Sequence, residues 1–332
     1  MRKSILIAVA LLSLCWQKAA AAYVWSTDIA PILYDNCASC HRMGGIAPFP
    51  LINYNEALAF SQSIKHSVQD KHMPPWPPDI NYSRLAHERV LTQQEIDMIV
   101  SWVDSGAQSG NINLAPPPPV FSNNGDIPGT ADLTVTIPTF TSTAVNSDVY
   151  QCFVIPSGQS VDNFITAFEA IPGNRDIVHH VLVYADTTQG HVCQGLDNAY
   201  PGPGYVSFGG VGENSAIMLG GWVPGTAPMM YPQNFGVKLF ANADIVIQIH
   251  YPAGSDGYQD STKVRFFFGN ANREVFILPV LNHEQSTVLS PYPLTIPADS
   301  TRTFTEQFTT PVNLSLLGVA PHMHLIGRSI KS

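Results

Sequence analysis

Charge is scarce in this sequence. Only 12 % of its 332 residues are Asp, Glu, Lys or Arg, and 25 acidic against 16 basic side chains leave a formal net charge of −9. No basic stripe is present to neutralise phosphates, which argues against a nucleic-acid binder. Long apolar runs are equally few. One stands at the N-terminus, where "MRKS" is followed by "ILIAVALLSLCW" and a small-residue stretch ending near Ala22. It is too short for a comfortable membrane span, and residues 1–22 read as an export signal. The mature protein is therefore expected in the periplasm or outside the cell, without a membrane span. Lipid attachment at Cys15 is the rival reading, but Leu14 occupies a position where a small residue is expected. A Gly-rich phosphate loop, a nucleophile elbow and a usable internal repeat are also missing.

Cysteine is rare too. Of five, Cys15 falls in the leader, leaving the close pair Cys37/Cys40 and the distant pair Cys152/Cys193. What the chain does have is 45 % hydrophobic residues, 24 glycines and 27 prolines. That balance supports a sizeable core and favours turn-rich β structure. The length allows two or three domains.

Residues 23–112 read as helical. "STDIAPILYDNCASC" has Ser26 or Thr27 as candidate N-cap, "NEALAFSQSIKHSVQ" is a second helix, and "TQQEIDMIVSWVDSGA" is a third. Thr92 and Glu95 have the capping-box spacing of the third, and Gly106 ends it. Within this segment "CASCH", Cys37 to His41, is the C-x-x-C-H signature of covalent c-type haem attachment. Two thiols, Cys37 and Cys40, add to the two porphyrin vinyl groups, and His41 lies beneath the iron as proximal ligand. The alternatives are a redox C-x-x-C, which wants a βαβ setting, and half of a zinc site, which wants a second ligand pair. Neither setting is visible. Three short helices around one covalent haem c make a small all-α cytochrome c domain. Methionine is the sixth ligand that suits electron transfer, and Met73 in "KHMPPWPPD" is the candidate, with His72 as rival.

Residues 113–130, containing four consecutive prolines, form a stiff linker. Beyond it the texture changes to short β-branched or aromatic runs: "DLTVTIPTF", "VYQCFVIP", "NFITAFEAI", "IVHHVLVYAD", "ADIVIQIHYP", "KVRFFFG" and "VNLSLLGVAPHMHLIG". An all-β antiparallel sandwich is expected. Five histidines stand in these runs: His179 and His180, His250, and His322 and His324. A single histidine in such a run is most simply a buried, hydrogen-bonded core residue, but five in three runs point to metal. His322 and His324, two apart on one strand, share a face. The adjacent His179 and His180 face opposite ways on a regular strand, so joint ligation requires a twist or bulge there. Imidazoles suit copper, zinc, iron or nickel, so residue type alone does not choose the ion. His66, His87, His191 and His283 show no partner pattern.

Two resemblances sharpen this picture. "DIAPILYDNCASCHRMGGIAPFPL", "MPPWPPD" and "LTQQEIDMIVSWVDSGAQSG" resemble a bacterial cytochrome c module that often precedes a copper monooxygenase domain. "PGNRDIVHHVLVY", "GGWVPGTAPMMYPQNFGVKLFANADIVIQIHY" and "APHMHLIG" resemble the copper type II, ascorbate-dependent monooxygenases. That family includes peptidylglycine α-hydroxylating and dopamine β-monooxygenases. The second resemblance implies two sandwiches with jelly-roll-like topology, the first at 131–280 and the start of another at 281–332. It implies an electron-storing copper on His179, His180 and His250. It also implies an oxygen-binding copper on His322, His324 and a methionine well downstream. The sequence ends at Ser332, before such a methionine, so it is expected to be a fragment of a longer protein. Exported and oxidised, Cys152 and Cys193 are expected to form a disulfide.

The function expected is an exported haem- and copper-dependent oxidoreductase that hydroxylates a C–H bond of an organic substrate with O2. Electrons would reach copper through the haem domain, from a periplasmic donor, ascorbate or another reductant. One or two coppers are expected on this chain and two on the full-length protein. The alternatives are an electron-transfer or copper-binding protein without monooxygenase activity, and a binding module whose histidines hold zinc or none.

Overall fold

The structure is a computed structural model that describes residues 23–75, 77–86, 88–121, 125–278, 289–307, 309–321, 323 and 326–332. The leader, His87, His283, His322 and His324 lie outside the described residues. The chain divides into two compact units, one ending at Phe276 and the other running from Ile277 to Ser332. The first unit is mostly β, with a few helices at its N-terminal end. No helix among the described residues is long and apolar enough to cross a membrane.

The helices are α1 (Ala30–Asn36), α2 (Tyr54–Ala59), α3 (Ser61–Gln69) and α4 (Gln93–Asp104). The expected N-cap at Ser26 or Thr27 is not used. A π-type turn, Trp25–Ile29, starts earlier, and the Asp28 carboxylate accepts the Val24 N–H at 2.8 Å. Burial explains the earlier start: Trp25 and Ser26 are buried, and their N–H groups donate to Gln108 and Ser109 carbonyls. The second expected helix is split at Phe60, whose ring turns to stack on Phe49 with centroids 3.8 Å apart. α4 has the expected box, with Thr92 Oγ1 accepting from Glu95 N–H and the Glu95 carboxylate accepting from Thr92 N–H. Its apolar stripe, Ile96, Ile99, Trp102 and Val103, joins Leu33, Ile64 and Val68 in one core. Removing the cap with Thr92→Ala is expected to cost about 1 kcal/mol, read by denaturant unfolding followed through tryptophan fluorescence.

The β region begins with β1 (Leu133–Thr136), β2 (Phe140–Thr141), β3 (Val149–Pro156), β4 (Asn163–Ile171) and β5 (His180–Asp186). A helix, α5 (Val192–Asn198), then precedes β6 (Tyr205–Val206), β7 (Ile217–Trp222), β8 (Met229–Met230) and β9 (Asn234–Leu239). β10 (Asp244–Tyr251), β11 (Gln259–Asp260), β12 (Lys263–Phe268) and β13 (Ala271–Glu274) complete it. One sheet runs β1-β12-β4-β9-β13 with β8 on β4; the other runs β6-β3-β10-β5-β7; β2 and β11 make a small pair. Among the described residues all strand pairings are antiparallel except β13 on β9.

Strand periodicity decides what faces the inter-sheet core. On β10, Ile245, Ile247, Ile249 and Tyr251 belong to the main core, with Val181, Val183 and Ala185 of β5 beside them. The alternate residues Val246, Gln248 and His250 therefore lie on the opposite face of the five-stranded sheet. There Val246 packs with Cys152, Cys193, Tyr205 and Val211 in a smaller cluster.

The linker ends on the sandwich. Glu169 on β4 and Arg265 on β12 are register partners and form a buried ion pair, Nη1 to Oε1 2.5 Å. Glu169 Oε2 accepts the Asp126 and Ile127 N–H groups, and Arg265 donates to the Ile127 and Gly129 carbonyls. Gly125 permits the close approach. A Cβ there would lie 2.2 Å from Glu169 Oε1, and its φ of +104° is strained for any other residue.

The second unit carries an isolated antiparallel bridge, Ser290 to Thr305. The strand expected over 312–327 is not formed among the described residues. Its apolar side chains Val312, Leu314, Leu316 and Val319 are exposed, and a strand without a partner leaves its backbone groups to water.

Candidate functional site

β10 is the middle strand of its sheet, and His250 stands in register with Tyr150 on β3 and His180 on β5. Two neighbouring strands thus place an aromatic ring and a second imidazole directly beside His250. The third imidazole arrives by a different device. β5 begins at His180, so His179 precedes the regular strand, and its N–H donates to the His250 carbonyl at 2.9 Å. Because His179 lies outside the strand, the alternation that would turn adjacent histidines to opposite faces does not apply to it. The turn before it is pinned: Ile177 and Val178 N–H groups return to the Asn174 carbonyl, and Asn174 N–H donates to the buried Asp260 carboxylate at 3.0 Å. Asp260 also accepts from the Tyr251 hydroxyl, 2.9 Å, next to His250 in sequence. One carboxylate therefore ties the segment before His179 to the end of β10.

The nitrogen donors of His179, His180 and His250 all lie within 4.8 Å of one another. His179 is exposed, His180 intermediate and His250 buried. The Nδ1 atoms of His250 and His179 are 3.1 Å apart. Two imidazole nitrogens on one tetrahedral ion, at about 2.0–2.1 Å each, stand about 3.3 Å apart. The pair thus already has the spacing that shared ligation needs, and the residues fit a metal ion. Tyr150 stacks on His250 with centroids 4.3 Å apart and planes 11° from parallel. The Asp148 carboxylate meets His250 Nε2 at 2.9 Å and accepts Ala253 N–H at 3.0 Å. The Ala253 N–H, and after it His250 and His179, holds the Asp148 carboxyl below the usual carboxylate range, outweighing the cost of burial.

Behind the triad, Gln248 donates to the Ser207 and Gly210 carbonyls and to Cys152 Sγ. The disulfide expected between Cys152 and Cys193 is not formed in this structure. Both are free, with Cys193 Sγ turned to the Val211 carbonyl and Cys152 Sγ to Gln248. Burial above all pushes the Cys152 thiol up to about 12 and the Cys193 thiol up to about 11.

The second group of residues is Cys37, Cys40 and His41. Past the end of α1 the chain makes one further turn, with Cys37 N–H bonded to Leu33 O and His41 N–H to Cys37 O, both 2.9 Å. The three side chains therefore leave one helical turn, at i, i+3 and i+4. His41 Nδ1 is 3.0 Å from the Phe49 carbonyl, which can only accept, so Nδ1 carries the proton and Nε2 keeps its lone pair. Phe49 also packs on the imidazole, 4.8 Å between centroids. Burial lowers the His41 pKa, which favours the neutral ligand form, while the Phe49 hydrogen bond opposes this. Burial, then Cys40, pushes the Cys37 thiol up to about 12. The apolar side chains of Met43, Ile46, Ile80 and Leu85 in the same segment are exposed, as suits a chain that wraps a large apolar group. These features fit a covalently held haem. Met73 is 41 % exposed. His72 is also exposed.

The two groups lie on neighbouring parts of the first unit. β7, which pairs with β5 next to His180, ends at Trp222 and leads into the turn at Gly225. Arg89 donates to the Gly225 carbonyl, and a Cβ at Gly225 would lie 2.6 Å from Cys40 Sγ. Arg42, just past the C-x-x-C-H segment, lies over the Phe121 ring and is close enough to Arg175, before His179, to add to the lowering of its pKa by burial.

Asp148, Tyr150 and Asp260 do not stand out in the sequence. Their only sequence signal is position, an acidic or aromatic residue at the end of a strand run, and that is too common to select them. His191, assigned no partner, pairs with Asp244 at 2.7 Å, at a distance in sequence that no local pattern reveals. In comparisons with known proteins, no family model matches the chain and no curated sequence matches it.

Proposed function

We propose that the chain is the haem- and copper-binding part of an exported oxidoreductase that hydroxylates a C–H bond with O2. Residues 23–112 are read as an all-α cytochrome c domain and 131–280 as a jelly-roll-like copper domain. Residues 281–332 are read as the start of a second sandwich whose His322 and His324 serve the oxygen-binding copper. The observation that carries the reading is the convergence of His179, His180 and His250, from two strands and the turn before one of them, into a single nitrogen-lined cluster. When bound, a c-type haem and a three-histidine copper supply two one-electron carriers.

The chain's own residues do the rest. Cys37 and Cys40 offer two thiols on one helical turn, and the Phe49 carbonyl orients His41 so that Nε2 is the ligand atom. Met73 is proposed as sixth ligand; its exposure leaves the thioether open to approach. At the other centre, Asp260 and Asn174 hold the segment that brings His179 to His250. The contact between Cys40 and the Gly225 turn, beside the strand that neighbours His180, supports an electron path from the haem segment toward the histidines.

Expression with haem-attachment machinery and copper tests the reading. One covalent haem per chain is expected by pyridine haemochrome assay, falling to none in the Cys37→Ser/Cys40→Ser double variant while the copper content stays constant. Copper content together with O2-dependent turnover separates the outcomes. One copper without turnover leaves an electron-transfer protein, and zinc or no metal at the histidines overturns the reading.

A further inference from the structure

We propose that Asp148 is a positioning residue of the three-histidine centre. It holds His250 in the tautomer that carries its proton on Nε2 and so makes Nδ1 the atom offered to a copper ion. The inference rests on the copper reading above.

Asp148 immediately precedes β3, and Ala253 lies just past the end of β10. By accepting Ala253 N–H at 3.0 Å and meeting His250 Nε2 at 2.9 Å, the carboxylate bridges the ends of two paired strands. An ionised carboxylate can only accept, so its place 2.9 Å from His250 Nε2 favours the proton on that nitrogen, although the approach is off the N–H direction. A neutral imidazole that donates from Nε2 has its lone pair on Nδ1. That is the atom 3.1 Å from His179 Nδ1. Tyr150, stacked on the same ring, resists its rotation. Carboxylate, imidazole and ligand atom therefore line up, and partners of this kind set ring orientation and ligand basicity at metal sites.

Asparagine is the informative replacement. Its carbonyl can keep the Ala253 N–H bond, while its amide N–H would face Nε2 and drive the proton to Nδ1, the ligand atom. The full chain is titrated with Cu(II) alone against a competing chelator, and the His250 tautomer is read from long-range 15N–1H NMR couplings in the metal-free chain. Wild-type His250 is expected in the Nε2–H form. Asp148→Asn is expected to shift it toward Nδ1–H and weaken copper binding about 10- to 100-fold. The metal-free melting temperature should be unchanged. Asp148→Glu should recover much of the affinity, and the Cu(II)/Cu(I) potential should rise when the negative charge is removed. An Nδ1–H tautomer in the wild type, or an Asp148→Asn affinity within twofold of it, would overturn the proposal. Failure of the wild type to bind copper would sink the copper reading. The tautomer would then decide alone, its shift in Asp148→Asn supporting the role of Asp148 and its constancy refuting it.

Discussion

Replacing His250 by alanine is expected to lower copper affinity at the triad by more than about 100-fold. Loss of a supporting residue at a metal-ligating histidine already costs about 10- to 100-fold, and His250 is the member that touches both neighbours. Its Nδ1 lies 3.1 Å from His179 Nδ1, and it is the strand partner of His180. The fold should survive. His250 is on the face of β10 turned away from the inter-sheet core, whose Ile245, Ile247, Ile249 and Tyr251 are untouched. The stability cost should stay within the usual range for point variants, about 0.5–3 kcal/mol. Metal analysis after dialysis, with circular dichroism as the check on folding, reads both quantities. His191→Ala is the control: His191 pairs with Asp244 and is not in the triad, so copper content should not change. Full copper retention by the His250→Ala chain would remove the triad as the binding site.

The largest loss of stability is expected from Glu169→Ala, about 3–5 kcal/mol. Removing one member of a buried ion pair strands the other charge without its partner. Here the stranded group is the buried Arg265 guanidinium. The same change takes the acceptor from the Asp126 and Ile127 N–H groups, so the end of the linker should detach from the sheet. Urea unfolding should report the energy, and limited proteolysis should find new cleavage within residues 113–130. A midpoint unchanged within error would mean that water replaces the carboxylate at no cost and that the clasp holds nothing. The consequence for function is indirect. The clasp fastens the linker to the sandwich, and the linker connects the Cys37-to-His41 segment to the three-histidine cluster.

Local signals are legible in the sequence where local physics decides the outcome. The Thr92/Glu95 box marks the start of α4 because both of its hydrogen bonds close within one turn. The runs "VYQCFVIP" and "NFITAFEAI" coincide with β3 and β4, since their apolar and β-branched residues are bounded by turn-forming neighbours. Strands β7, β9 and β13 were not anticipated. β7 carries two adjacent glycines and β13 is mostly exposed, so pairing with β5 and with β9, rather than their own composition, makes them strands. The break at Phe60 and the start at Trp25 escaped for the same reason. Each answers to a partner outside its own helix, Phe49 in one case and Gln108 in the other.

By itself the sequence determined which residue types are available and their local spacing. Those include the thiols and imidazole of "CASCH" on one helical turn, the histidines lodged in apolar strand runs, and the change of texture after the proline-rich linker. Only the tertiary structure decided that His179, His180 and His250 share one cluster, because two of them sit on different strands and the third must precede the strand to join them. Only it could supply Asp148 at Nε2, Tyr150 on the ring and Asp260 behind the turn. Hydrogen bonds and stacking act over a few ångströms in space, and strand pairing brings residues to that range however far apart they lie in the chain.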